Sequence, residues 1–183
     1  MTVILDRVTK TYAGRDVVAD LSYALAPGQV VALVGHNGAG KTTQIKMMLG
    51  LTRPTSGHVE VLDADPGSRA ARRALGYLPE SVQFHLGFSA RETLGFYARL
   101  KGLPAQGHDA LFARVGLSDA VDRPVRTYSK GMRQRLGLAQ ALLGDPRLLL
   151  LDEPNSGLDP ALRRELYEIV AERARQGATV LLS

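Results

Sequence analysis

Apolar residues along the chain fall into short blocks separated by glycine- and proline-bearing turns. Val3 to Tyr12 alternates weakly between apolar and polar positions, and Asp16 to Leu25 repeats the pattern before Pro27-Gly28. Alternation with a period of two predicts two half-buried strands. Three further blocks are uninterrupted: Val30-Val31-Ala32-Leu33-Val34, Leu148-Leu149-Leu150-Leu151 and Thr179-Val180-Leu181-Leu182. Such runs predict buried strands of the kind found in parallel sheets, covered on both faces. His58 to Leu62 predicts another strand after a turn at Pro54 to Gly57. Gly76-Tyr77-Leu78-Pro79 predicts a short strand running out to an edge or loop, because proline cannot donate to a ladder.

Helical signals dominate the middle of the chain. Ser89-Ala90-Arg91-Glu92 is a capping box, with serine at the cap and glutamate three residues on. It opens a helix predicted to reach about Lys101 and to close at Gly102 and Pro104. Further helical stretches run from about Thr42 to Leu49, Asp109 to Gly116 and Gly131 to Leu143. Asp159-Pro160 is read as the cap of another, with proline at its first position. The order implies a mixed α/β core interrupted by a mainly helical insertion at about 81–145. No internal repeat or low-complexity segment breaks this plan.

Composition narrows the picture. The 183 residues suit one domain, and no apolar run approaches the roughly 20 residues of a membrane span. No charged start followed by an apolar stretch suggests a signal peptide. The absence of cysteine removes disulfides and soft-metal thiolate sites, so a cytosolic setting is the simplest expectation. The net charge of +5 includes an Arg69, Arg72, Arg73 patch, read as a solvated surface. Aromatics make up 5% of residues, too few to build stacking platforms for single strands, and no nucleic-acid partner is expected.

The strongest chemical signal is Gly35-His36-Asn37-Gly38-Ala39-Gly40-Lys41-Thr42, which fits G-x-x-x-x-G-K-[ST] between a predicted strand and a predicted helix. Glycines let successive backbone N–H groups turn inward around phosphate oxygens, and the helix N-terminus adds positive dipole. Asn37, Gly38, Ala39 and Gly40 belong to this cradle. Lys41 offers a cation to the outer phosphates, the Thr42 hydroxyl can ligate Mg²⁺, and Thr43 is a further phosphate donor. His36 is read as a loop residue and not a catalyst.

The second signal is Asp152-Glu153 at the end of the four leucines. Two acids closing a buried strand are costly unless they act on a cation or water. Asp152 is expected to hold Mg²⁺. Strand alternation would turn Glu153 another way, to polarise an attacking water. Between the two signals, Ser129 and Gly131 stand at a helix start that could bind phosphate or could simply be capped.

Taken together, these motifs resemble the ATP-binding subunits of ABC transporters over essentially the whole chain. The fold this implies is α/β: a P-loop NTPase with an ABC-type ATPase core, an antiparallel β subdomain and a mainly helical insertion subdomain. Residues 1–80 and 146–183 would form the ATP-binding core of a single nucleotide-binding domain, and 81–145 its helical part. The resemblance makes Tyr12 the aromatic that stacks on adenine. Tyr128-Ser129-Lys130-Gly131-Met132 resembles the family signature, with Ser129, Lys130, Gly131 and Met132 facing the opposite subunit's ATP in a head-to-tail homodimer. Ser156, Gly157, Leu158 and Asp159 resemble the loop that crosses the dimer interface. Glu80 stands where the wider family usually has glutamine and is a further candidate for the Mg²⁺ site; Gln83 is not substituted for it. The implied cofactors are ATP and Mg²⁺. The implied partner is a transmembrane permease, which would hold the protein peripherally at the inner face of the membrane.

Two finer expectations follow. Gly76 to Glu80, Arg91 to Leu94 with Phe96 to Gly102, Tyr128 to Gly144 and also Gly35 to Gly38 are similar in phrasing to the NosF ATPase subunits of nitrous-oxide-reductase maturation, implying export of a copper- or sulfur-related species. Drug, sodium or polysaccharide export is the alternative within the family, and a non-transport nucleotide-dependent binding module the alternative outside it. In the family resembled, the Thr179–Ser183 strand leads to a switch histidine at the γ-phosphate. None of His36, His58, His85 or His108 holds that position, so the 183-residue chain is expected to bind Mg-ATP but hydrolyse it poorly.

Overall fold

The computed structural model describes residues 1–155 and 160–183. The chain begins with antiparallel strands β1 (Val3–Tyr12) and β2 (Arg15–Leu25), then β3 (Val30–Ala32), α1 (Lys41–Met48), β4 (Ser56–Val61), α2 (Arg69–Ala74) and β5 (Leu75–Leu78). The helical region holds α3 (Ala90–Leu100), α4 (Asp109–Arg114) and α5 (Lys130–Leu142). It is followed by β6 (Leu148–Leu151), α6 (Pro160–Arg175) and β7 (Thr179–Leu182). Two sheets result: an antiparallel sheet in the order β2-β1-β4 and a parallel sheet in the order β3-β7-β6-β5.

The leucine run of β6 is buried throughout, and its alternating side chains feed two apolar cores. Leu148 and Leu150 join Leu181 of β7, Ile45, Met47 and Met48 of α1, and Val3, Leu5 and Val61 of the antiparallel sheet. Leu149 and Leu151 face the other way, against Leu94 and Ala98 of α3, Leu136 and Ala139 of α5, and Leu166 and Ile169 of α6. A strand clothed on both faces needs no polar side chains, so its sequence reads as a continuous apolar run.

The same logic fails at Val30-Val31-Ala32-Leu33-Val34, which corrects the buried-strand expectation. Only Val30–Ala32 form a strand, and β3 lies at the sheet's edge, paired on one side with β7. Val30 is 49% exposed and Val34 92% exposed. An apolar run reports affinity for a sheet and does not distinguish centre from edge. The turn expected at Pro54 to Gly57 is likewise shorter, because Ser56 and Gly57 already belong to β4.

Helix ends follow their caps. Ser89 Oγ accepts from the Glu92 backbone N–H at 3.1 Å, and the Ser89 backbone N–H donates to Glu92 Oε2 at 2.8 Å, completing the expected capping box. Ser68 caps α2 in the same way, its Oγ accepting from Ala71 N at 3.2 Å. This six-residue helix was not legible from periodicity. The β5 strand packs against α5 so closely that a Cβ on Gly76 would run into the Ala141 carbonyl oxygen. That contact joins the helical region to the sheet. Among the described residues no helix is long and apolar enough to cross a membrane.

Candidate functional site

A cleft of about 300 Å³ opens where β3 passes into α1. Asn37, Gly38, Ala39, Gly40, Lys41, Thr42 and Thr43 line one wall, with Val17, Glu80 and Glu153 opposite or beside them. Gly40 is the N-cap of α1 at φ +80°, and a Cβ there would meet the Val17 carbonyl oxygen at 2.5 Å. Glycine is therefore required twice over, by backbone conformation and by the close approach of β2. Gly38 also has positive φ, which turns the loop so that its N–H groups can face a bound anion. The first turn of α1 carries no acidic residue, so the helix dipole there is unopposed.

Lys41 Nζ donates to the carbonyl oxygens of Gly35 at 2.7 Å and His36 at 3.1 Å, which sets the ammonium inside the curl of the loop. His36 Nδ1 lies 2.8 Å from the Asn37 carbonyl on an exposed side chain, consistent with a loop role.

In the first turn of α1, Thr42 Oγ1 donates to Asp152 Oδ1 at 3.2 Å. Asp152 is 3% exposed, and the same Oδ1 accepts from Ser183 Oγ at 2.8 Å. Ser183 Oγ in turn accepts from the Glu153 backbone N–H at 2.9 Å. One hydroxyl just past β7 thus fixes both acids, and Asp152 is further held by its N–H to the Leu78 carbonyl at 2.9 Å. Glu153 faces the cleft, but not through strand alternation as the sequence suggested. β6 ends at Leu151, and Glu153 occupies a left-handed bend at φ +45°. A non-glycine residue there costs of order 1–3 kcal/mol.

The electrostatics suit a divalent cation beside a polyphosphate. Two carboxylates, Glu80 and Glu153, line the cleft with one lysine, and the buried Asp152 lies just behind it against Thr42. Among the described residues no group of three or more His, Asp or Glu forms a metal cage of its own. Mg²⁺ is commonly held by one or two protein oxygens together with substrate phosphates, and Thr42 Oγ1 beside Asp152 Oδ1 is such a hard-oxygen pair. Glu80 reaches the cleft wall, whereas Gln83 is exposed and does not line it.

Three contributors escaped the sequence reading. Val17 and Ser183 carry no motif, and only the pairing of distant strands brings them to the site. Tyr77 is the third: burial first, then the charges of Asp152 and Glu80, push its phenol pKa up to about 12. A neutral hydroxyl therefore persists beside two acids.

Other expected residues lie apart from the cleft. Tyr12 is 45% exposed at the end of β1, with its hydroxyl 3.3 Å from Thr52 Oγ1 and Lys10 Nζ 4.8 Å from its ring centroid; it does not line the cleft. Ser129 and Lys130 are exposed at the start of α5, with Gly131 and Met132 partly buried. The Ser129 hydroxyl caps the helix by accepting from Met132 N at 3.2 Å. The expected interface loop and helix cap at Ser156, Gly157, Leu158 and Asp159 lie outside the described residues.

Comparison with known proteins places this geometry. Residues 18–156 match the ABC transporter family. The uncharacterized ABC transporter ATP-binding protein YhcH of Bacillus subtilis is 40% identical over 183 residues, covering 98% of this chain and 60% of that protein. The Nod factor export ATP-binding protein I of Rhizobium etli is 38% identical over 184 residues, covering 96% of this chain and 58% of that protein. The chain therefore spans about 60% of the length of these curated relatives. A solved ATP-binding subunit of an ABC transporter superposes with a TM-score of 0.91 at 30% identity, covering 100% of this chain and 79% of that one. A phosphate loop whose threonine meets the acid of a buried leucine strand, on a chain matched over 98% of its length by YhcH and over all of it by the solved ATP-binding subunit, makes the chain a member of the ABC transporter family.

Proposed function

We propose that this protein binds and hydrolyses ATP as the energising subunit of an ABC exporter. The observation that carries the reading is the Thr42–Asp152–Ser183–Glu153 chain of contacts at the mouth of the phosphate loop. The loop N–H groups and Lys41 hold the triphosphate, Tyr12, outside the cleft lining, takes the adenine as the family resemblance implies, and Thr42 with Asp152, joined by Glu80, would hold Mg²⁺. When bound, the ion would supply charge neutralisation for the phosphates. Glu153 orients a water and accepts its proton as the oxygen attacks the γ-phosphorus. The bond to the β-phosphate oxygen breaks, and ADP leaves with that electron pair.

In this reading residues 1–80 and 146–183 form the nucleotide-binding core and 81–145 the helical part that meets a transmembrane permease. Two copies pair head to tail, and Ser129 to Met132 of one copy close over the nucleotide of the other. Exposure of Ser129 and Lys130 away from their own chain's cleft supports this arrangement. The protein would sit at the inner face of the membrane through its permease. Export is favoured because a relative that matches nearly the whole chain is named for export. The narrower role in nitrous-oxide-reductase maturation rests on the phrasing of Gly76 to Glu80, Arg91 to Leu94 with Phe96 to Gly102, Tyr128 to Gly144 and also Gly35 to Gly38. Affinity purification from membranes, with identification of the co-purifying chain, tests both. A permease of an exporter is the expected result, and one from the nitrous-oxide-reductase system would fix the narrower role. Recovery of ribosomes without a permease would overturn the transport reading.

A further inference from the structure

Away from the cleft, a pocket of about 260 Å³ opens between α2 and the C-terminal end of α3. Arg69, Arg72 and Arg73 line it from α2, and Arg99, Leu100 and Lys101 from the end of α3. The arginine patch seen in the sequence is therefore only part of a larger cluster, completed by cations that the fold brings from a separate segment. Among the described residues no carboxylate lines the pocket. Among the described residues none of its five cations forms an ion pair. Elsewhere several arginines are paired, Arg91 with Asp109 and Asp122, Arg114 with Glu172, Arg135 with Glu165 and Arg173 with Asp145; what marks this pocket is that its unpaired cations share one concavity.

Helix-end electrostatics favour four of the five cations, Lys101 being the C-cap of α3, but not Arg69. Arg72, Arg73 and Arg99 lie in last helical turns, whereas Arg69 is the first residue of α2, where a cation is disfavoured. Lys101 Nζ donates to the Leu143 carbonyl at 2.8 Å, and burial lowers its pKa to about 8. Five like charges thus converge on one concavity with no counter-charge in its lining among the described residues.

We infer that this pocket binds a phosphate-bearing anion, supplied by an acidic lipid headgroup or by a soluble phosphate. The planar guanidinium fork matches two phosphate oxygens at once, which makes arginine the usual choice for this chemistry. Leu100, 69% exposed at the rim, adds an apolar contact for whatever carries the phosphate.

The test compares three proteins: the unsubstituted chain, a pocket pair Arg72→Glu/Arg99→Glu, and a control pair Arg126→Glu/Arg175→Glu at exposed positions away from the pocket. The two pairs change net charge equally. Each protein is sedimented with phosphatidylcholine vesicles with and without phosphatidylglycerol, and titrated calorimetrically with inorganic phosphate. The phosphate loop is intact in all three, so any component missing only from the pocket pair belongs to the pocket. Loss of about tenfold or more in binding to the phosphatidylglycerol vesicles, confined to the pocket pair, supports a lipid headgroup. Loss of a phosphate-binding component confined to the pocket pair supports a soluble anion. Equal behaviour of the pocket and control pairs with both probes would overturn the inference.

Discussion

Replacing Lys41 with alanine is expected to weaken Mg-ATP binding by about tenfold to a hundredfold while the fold persists. The ammonium lies within 3.1 Å of two carbonyl oxygens in the curl of the loop, positioned to meet the outer phosphates. Hydrogen bonds to charged partners contribute about 1.5–3 kcal/mol each, which corresponds to that range of affinity. The loop itself should survive, because Gly38 and Gly40 fix its turns and Ala39 N donates to the His36 carbonyl at 3.1 Å. Calorimetric titration with ATP in the presence of Mg²⁺, alongside a thermal unfolding curve, separates the two effects. An unchanged affinity in a folded variant would remove the lysine from the site.

The second large effect is expected at Glu153. Glu153→Gln should lower ATP turnover by about 10²- to 10⁴-fold, the usual contribution of a general base, and leave nucleotide affinity within about twofold. Glutamine keeps the shape and the backbone anchor to Ser183 Oγ but cannot take a proton at neutral pH. The left-handed bend at Glu153 aims the carboxylate into the cleft, and the variant preserves that strain, so lost turnover reports chemistry and not refolding. Single-turnover phosphate release in the two proteins is the measurement. Equal rates would assign the proton transfer to another group.

The parts legible in the sequence share one property: local chemistry fixes their spacing. The phosphate loop needs glycines, lysine and threonine at set intervals, whatever surrounds it. Ser89 and Glu92 satisfy each other within one turn, so their capping box could be read from four residues. The β6 leucines declared a strand covered on both faces. Features decided by tertiary placement were hidden. Val30 to Val34 looks like Leu148 to Leu151, yet it lies at an edge because nothing in the run records its neighbours. Glu153 was expected to follow strand alternation, but the strand had already ended and a single positive φ redirected it. Ser183 is an ordinary polar residue until β7 sets its hydroxyl between Asp152 and Glu153. Arg99 and Lys101 likewise joined the arginine patch only when α3 reached α2.

The central claim is that a magnesium nucleotide occupies this cleft, with its metal between α1 and the end of β6. Crystallisation with a non-hydrolysable ATP analogue and Mn²⁺ in place of Mg²⁺ tests it most directly, because manganese can be located by anomalous scattering. The expected result is one manganese peak within coordination distance of Thr42 Oγ1, bridged to Asp152 directly or through water, with the terminal phosphate against Lys41. A nucleotide seated elsewhere, or a metal peak remote from Thr42 and Asp152, would contradict it.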